Sequence, residues 1–334
     1  MNIEIKTIDQ IDRNKWNDLL AHSSTASYFQ SPECYDFYQS LSFLMPFGYG
    51  VSENGELKGV IIGYIISDGN LIKRFFSRRA IIPGGVLISE EISHKALSQL
   101  LQTLKEKLDK KVIYIEIRNY NDYTKFKSLF EEYDFLFQSH LNFHVLTPNS
   151  ESALKNLSTT KRRDVKLSLK EGAEIIEAGN REEVAKYYDL LKLLYQTKVK
   201  TPLFPVEFFE KLVLDSYGKL FLIKYNGQII GGSVCVGMEK SVLYEWFVCG
   251  TDGKFKNIYP STLATWAAIK YAAENGYRYF DMMGAGKPDE GYGVREFKSK
   301  FGGELVEHGR FLHVIKPLLY NLGKKAIEIK KRMK

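Results

Sequence analysis

From Phe47 to Ser67 the chain reads FGYGVSENGELKGVIIGYIIS, with apolar and polar residues alternating around Asn54-Gly55. A period of two is the pattern of a strand, and Asn-Gly tolerates the positive φ that a tight hairpin turn demands. Strand-like runs follow at 71–76 and 80–88. Leu97, Leu100, Leu101, Leu104 and Leu108 then recur at helical spacing within 89–108, and VIYIEIR at 112–118 predicts a closing strand. The same order returns later. LFLIKYNGQIIGGSVCVGM forms a second hairpin around Asn226-Gly227, SVLYEWFVCG at 241–250 a third strand, and 259–275 a helix stopped by Gly276. YRYFDMMG at 277–284 ends the series.

Hairpin, strand, helix, strand, twice over, is a repeat of supersecondary order rather than of residues. It predicts two tandem α/β (α+β) domains, with the natural ligand site in a cleft between them. Thr147-Pro148-Asn149 marks the boundary, giving domains at 1–148 and 149–316 and a tail at 317–334. Between the repeats lie a strand-like run, FLFQSHLNFHVLT, and a basic helical segment at about 151–171 whose N-cap is expected at Thr159 or Thr160.

Composition narrows the class. The chain is 44% hydrophobic and 26% charged, enough to bury a core and too apolar for disorder. Its formal net charge of +7 favours anionic partners such as RNA, nucleotide phosphates or lipid phosphates. Cys34, Cys235 and Cys249 form no metal-ligand spacing with the six histidines. No metal or other cofactor is implied. Buried-type cysteines and an N-terminus without an apolar segment point to a cytoplasmic protein.

Several residues draw attention by type and place. In GVREFKSKFGG, Phe297 and Phe301 frame Lys298, and Gly302-Gly303 follows. A lysine among rings in a partly dry site acts strongly on a developing oxyanion, and glycines let backbone approach a ligand; the plain alternative is a core pair with Lys298 emerging between the rings. Lys161, Arg162 and Arg163 offer contact with an anionic donor, or a solvated basic face. Asp281 at a strand end can serve as base or cap the loop GAGKPDEGYG. Tyr244 and Glu245 alternate on one strand, so one of them faces the ligand. Tyr259, before Pro260, lines the cleft or staples the helix start. His308 and His313 read as structural.

The order of elements resembles the GNAT acyltransferase fold, and a tandem pair ending in F-K-x-x-F-G-G resembles the Fem (FemAB-like) family of aminoacyltransferases, which build peptidoglycan cross-bridges. FQSPECYDFY at 29–38, LSTTKRRDVKLSLKEGAEI at 157–175, YPSTLATWAAIKYAAENGYRYFDMMG at 259–284 and GVREFKSKFGG carry that resemblance in order. It implies that Phe297 and Lys298 contact the acyl donor near its reacting carbonyl. The family's Trp and Lys after the Q-S start are matched by Cys34 and Tyr38, and a phenol cannot neutralise a diphosphate. Its Thr-x-x-Arg is matched by Thr197 and Lys200, and its Asp-Pro by Arg118-Asn119.

These expectations combine into an N-acyltransferase that moves an activated group, most simply from an aminoacyl-tRNA, to the primary amine of an envelope precursor. The alternatives are an acyl-CoA donor, against which the missing Q/R-x-x-G-x-G/A loop counts, and a non-catalytic RNA- or envelope-binding protein. In the tail, Leu319, Leu322, Ala326, Ile329 and Met333 form one apolar helical stripe beside six basic residues, Lys324, Lys325, Lys330, Lys331, Arg332 and Lys334. Such a helix either docks on the second domain or touches anionic lipid at the inner face of the membrane.

Overall fold

A computed structural model describes residues 2–69 and 77–332, with side chains described through residue 325. The strand expected at 71–76 lies outside the described residues. The chain falls into two compact units, Met1–Ser139 with His308–Lys334, and His140–Glu307.

In the first unit β1 (Ile3–Thr7), β2 (Met45–Glu53), β3 (Glu56–Ile66), β4 (Arg79–Gly84), β5 (Leu87–Ile88), β6 (Tyr114–Asn119) and β7 (Leu136–Gln138) belong to one sheet. The β2–β3 turn takes Asn54 and Gly55 through φ of 49° and 87°, the paired positive values of a tight hairpin. The helix His94–Leu108 lays its leucines on the sheet beside Ile82, Ile115 and Ile117. Ser93 caps it, accepting from the Ala96 amide at 3.1 Å, so it starts later than position 89.

The second unit repeats the plan with β8 (Leu141–Leu146), β9 (Glu174–Glu177), β10 (Lys219–Tyr225), β11 (Gln228–Met238), β12 (Val242–Gly250), β13 (Tyr279–Gly284) and β14 (Glu304–Glu307). Asn226 and Gly227 turn at φ of 49° and 73°. The helix Pro260–Glu274 is buried on nearly every side because its run of Ala264, Ala267, Ala268 and Ala272 lets neighbours approach closely.

The strand order shows why the boundary expected at Pro148 is not where the contacts divide the chain. The first sheet runs β1-β2-β3-β4-β6-β15-β7, with β15 (Arg310–Val314) inserted between β6 and β7. The second runs β14-β8-β13-β12-β11-β10-β9. Each sheet therefore fills its last internal place with a strand from the other half of the sequence. The apolar run at 135–147, read as one strand, is two strands in different sheets. The basic segment at 151–171 is also two elements, Ser150–Asn156 and Thr159–Lys170. Its cap is Ser158, whose hydroxyl accepts from the Lys161 amide at 3.3 Å, rather than Thr159 or Thr160.

The last helix, Pro317–Arg332, docks its first turn through Tyr320, whose ring meets Tyr114 edge-on at 5.2 Å. Leu322, expected on the docked stripe, is instead exposed with Leu318. Ala326, Ile329 and Met333 of that stripe lie outside the described side chains. No helix among the described residues is long and apolar enough to cross a membrane.

Candidate active site

The two central strands of the second unit run side by side for only three residue pairs, Val242↔Tyr279, Leu243↔Phe280 and Tyr244↔Asp281. Beyond Tyr244, β12 continues to Gly250 without β13 beside it. Two irregularities mark the parting. On β12 the register passes from Cys235↔Glu245 to Val234↔Phe247, which leaves Trp246 as an extra, bulged residue. On β13 the register slips between Asp281 and Gly284, and Met283 takes the left-handed conformation at φ 56°. In the first unit the corresponding pair, β4 and β6, stays joined to Gly84↔Asn119, where both strands end. Among the described residues, only the second unit opens a fork.

Three residues singled out from the sequence gather at that fork. Lys298, from the helix Gly293–Ser299, is buried, and its ammonium donates to the carbonyls of Met282, Met283 (3.4 Å) and Gly284 (2.9 Å). Burial lowers its proton affinity, and the charges of Glu245 and Asp281 partly restore it. Glu245 lies under the helix Pro260–Glu274, accepting from the Ser233 hydroxyl at 3.1 Å. Burial raises its carboxyl pKa, with Lys298, Thr265 and Ser233 pulling the other way. Asp281, fully buried, accepts from the Met283 amide at 2.6 Å and from the Asn142 amide group at 3.2 and 3.3 Å. It therefore builds the bulge as well as charging it.

Sequence reasoning missed Asn142 and His144. His144 Nε2 lies 3.4 Å from Asp281 Oδ2, and its ring stacks on Tyr279 at 4.5 Å. The available signal was two polar residues at alternate positions of LNFHVL, which puts both on one face of β8. Arg295 was missed as well. Its guanidinium donates to the carbonyls of Ala285 (2.9 Å), Lys287 and Pro288 (3.2 Å), and so folds the loop GAGKPDEGYG.

The lysine between the rings is not Lys298. Lys161, reaching in from the helix Thr159–Lys170, places its ammonium 4.1 Å from the Phe297 ring centre and 5.5 Å from that of Phe301. It donates to the Thr262 hydroxyl at 2.6 Å, and burial lowers its proton affinity against the pull of Asp164 and Asp252. The basic cluster is thus divided. Lys161 is interior, Arg162 is half-buried and donates to the Leu157 carbonyl at 3.3 Å, and Arg163 alone is exposed, beside Asp164.

The chain's own packing requires both glycines. At Gly302, with φ 77°, an added Cβ would stand 2.2 Å from the Asn156 carbonyl oxygen, and at Gly303 it would stand 3.0 Å from that of His144. Tyr244 is fully buried, so both it and Glu245 face inward, one on each side of the sheet. Tyr259 is half-buried, and its amide donates to the Ser168 hydroxyl at 3.0 Å, which ties the helix start to Thr159–Lys170. Thr197 sits on a π-helical turn, Tyr195–Val199, with its hydroxyl donating to the Leu193 carbonyl. Lys200 ends that turn, exposed at φ 60°. Tyr38 lies in the core of the first unit, edge-on to Tyr64 at 5.0 Å, and is closed to solvent in this structure.

Residues 219–327 match the family model described as the FemAB family. No curated protein sequence matches the chain. Among solved structures, FemX aligns with a TM-score of 0.71 at 16% identity, covering 96% of this chain and 99% of that one. A tandem GNAT protein from the clavulanic acid biosynthesis pathway aligns at 0.58 and 8% identity, covering 94% and 99%. L-PGS from Bacillus licheniformis aligns at 0.56 and 14%, covering 91% and 92%. At these identities the likeness is one of fold, and the fold is that of tandem GNAT proteins.

Proposed function

We propose that this chain, FemAB-like over residues 219–327 on a tandem GNAT frame, is an acyltransferase that moves an activated acyl or aminoacyl group onto a primary amine of a cell-envelope precursor. The observation that carries the reading is the fork, where one ammonium lies within electrostatic reach of two carboxyl groups beside an unpaired strand edge. Aminolysis of an ester or thioester needs two things from a protein. A proton must pass from the attacking amine to the departing alcohol or thiol as the acyl–oxygen or acyl–sulfur bond breaks, and negative charge on the former carbonyl oxygen must be met by fixed donors.

Main-chain amides along β12 beyond Tyr244 are suited to the second task. Lys298 adds positive charge at low dielectric and holds the Met282–Gly284 backbone in place. Glu245 suits the first task, since a carboxyl group whose pKa is raised by burial takes a proton from an amine more readily than an ordinary one. Asp281 positions the bulge. Phe297 lies beside the donor's reacting end.

The donor in this reading is an aminoacyl-tRNA, whose backbone Arg163 and Lys200 would meet as exposed cations. The last helix, with Leu318 and Leu322 exposed, would bring the enzyme to anionic lipid where precursors are displayed. The test is a donor panel: labelled aminoacyl-tRNAs and acyl-CoAs, each incubated with amine-bearing envelope precursors, with the product identified by mass. An acylated precursor formed from aminoacyl-tRNA supports the reading. Acylation from acyl-CoA alone replaces the donor, and tRNA binding without any acylated product contradicts catalysis.

A further inference from the structure

The helix Gly293–Ser299, which carries Phe297 and Lys298, has little of its own to hold it. It is seven residues long, no side chain caps its start, and Lys298 is its one buried residue. Helices this short do not stand by propensity, so its position is set by what grips it from outside. Lys298 and Arg295 tie it to the end of β13 and the loop that follows. A further hold comes from the helix Thr159–Lys170 and its approach. The Ser158 amide donates to the Lys300 carbonyl at 2.9 Å, and Gly302 packs on the Asn156 carbonyl. Lys161 supplies the contact with the rings. Its ammonium stands 4.1 Å from the Phe297 ring centre and 5.5 Å from that of Phe301, and it donates to Thr262 in the first turn of Pro260–Glu274.

A charge is costly at this place. Lys161 is 8% exposed, and among the described residues no carboxylate bonds to it. Asp164 pairs instead with Arg163 at 3.3 Å, and Asp252 accepts from the Ser261 amide at 3.2 Å. The Thr262 hydroxyl also lies at the positive end of a helix of 15 residues, whose dipole opposes a cation. A methionine would fill the same space without burying an unpaired charge. It could not attract two rings and donate to a hydroxyl at once, and those are the contacts Lys161 makes. Three helices meet on this ammonium.

We propose that Lys161 is a positioning residue for acyl transfer. By holding Phe297 and Phe301 against the start of Pro260–Glu274, it fixes the short helix so that Phe297 and Lys298 meet the donor in one place. A displacement of about 1 Å can cost roughly a hundredfold in rate, so holding these groups still contributes to catalysis. The effect on transfer rests on the transferase reading; the brace itself does not.

Hydrogen exchange and transfer kinetics on the full chain test it together. Lys161→Met should raise amide exchange across 293–302 by about tenfold, where Lys300 and Phe301 donate to the Phe297 and Lys298 carbonyls at 3.3 and 3.0 Å. Exchange in the first unit should stay as in the wild type. The kcat for transfer from an aminoacyl-tRNA to an amine-bearing precursor should fall by roughly tenfold to a hundredfold, with the acceptor KM little changed. Lys161→Arg keeps a cation for the rings and a donor for Thr262, and should restore both readings to within about threefold of wild type. Lys170→Met, exposed on the same helix, should change neither. Thermal unfolding confirms that each variant folds; if Lys161→Met does not, Thr262→Val, which removes the anchor of the ammonium, should show the same changes at smaller size. Wild-type exchange across 293–302 in the folded variant, wild-type transfer by it, or no recovery in Lys161→Arg overturns the proposal. Faster exchange in Lys161→Met, with no transfer by wild-type protein from any donor, would keep the brace and sink the transferase reading.

Discussion

At the scale of single residues, Lys298 holds the Met282–Gly284 backbone through its ammonium while its charge reaches Glu245 and Asp281. The run GVREFKSKFGG singled out this lysine. Its ring partners were misassigned for a geometric reason. Phe297, on the helix Gly293–Ser299, and Phe301, just past its end, pack with ring centroids 5.1 Å apart, while Lys298 is about 100° further round the helix than Phe297. The space between the rings belongs to Lys161, which no local pattern could disclose. Because Lys298 satisfies buried carbonyls, Lys298→Met should cost about 1–3 kcal/mol in urea unfolding. It should also lower kcat/KM by roughly tenfold to a thousandfold, since an oxyanion-side charge acts in the transition state. The raised Glu245 carboxyl and the lowered Lys298 ammonium predict a bell-shaped kcat/KM profile. Its acid limb should lie above the ordinary carboxylate range, where Glu245 loses its proton, and its alkaline limb below the ordinary lysine range. A profile of Glu245→Gln that keeps the acid limb would assign that limb to another group.

At the scale of elements, the hairpins, the long helices and their apolar faces were legible because they are written in local periodicity and turn residues. The run at 135–147 was not, since nothing in an apolar stretch says that Gln138 and Leu141 belong to different sheets. The helix Thr159–Lys170 was recognised as basic, but not as one that turns a lysine inward. This division predicts unlike effects within three residues. Lys161→Ala should destabilise by about 1–3 kcal/mol, because it removes a buried hydrogen bond and a cation over aromatic rings. Arg163→Ala, on the exposed side, should change stability by under about 0.5 kcal/mol. Denaturant midpoints of the two variants check this, and equal midpoints would show that Lys161 is not held as described.

At the scale of the whole molecule, the repeated plan could be read from the order of elements, but the exchange of β8 and β15 could not, because it joins segments far apart in the chain. Its consequence is measurable. Residues 1–139 alone lack the strand that pairs with both β6 and β7, and should show no cooperative unfolding. The same residues joined by a glycine-serine linker to 308–334 should unfold cooperatively, and equal behaviour of the two would contradict the topology. The central claim, that acyl transfer takes place at the open fork of the second unit, is tested most directly by single-turnover transfer of a labelled aminoacyl group from tRNA to an amine-bearing precursor. Wild-type protein should pass the label to the amine. Lys298→Met and Glu245→Gln, if folded, should do so roughly tenfold to a thousandfold more slowly. Equal rates in all three proteins would contradict the account.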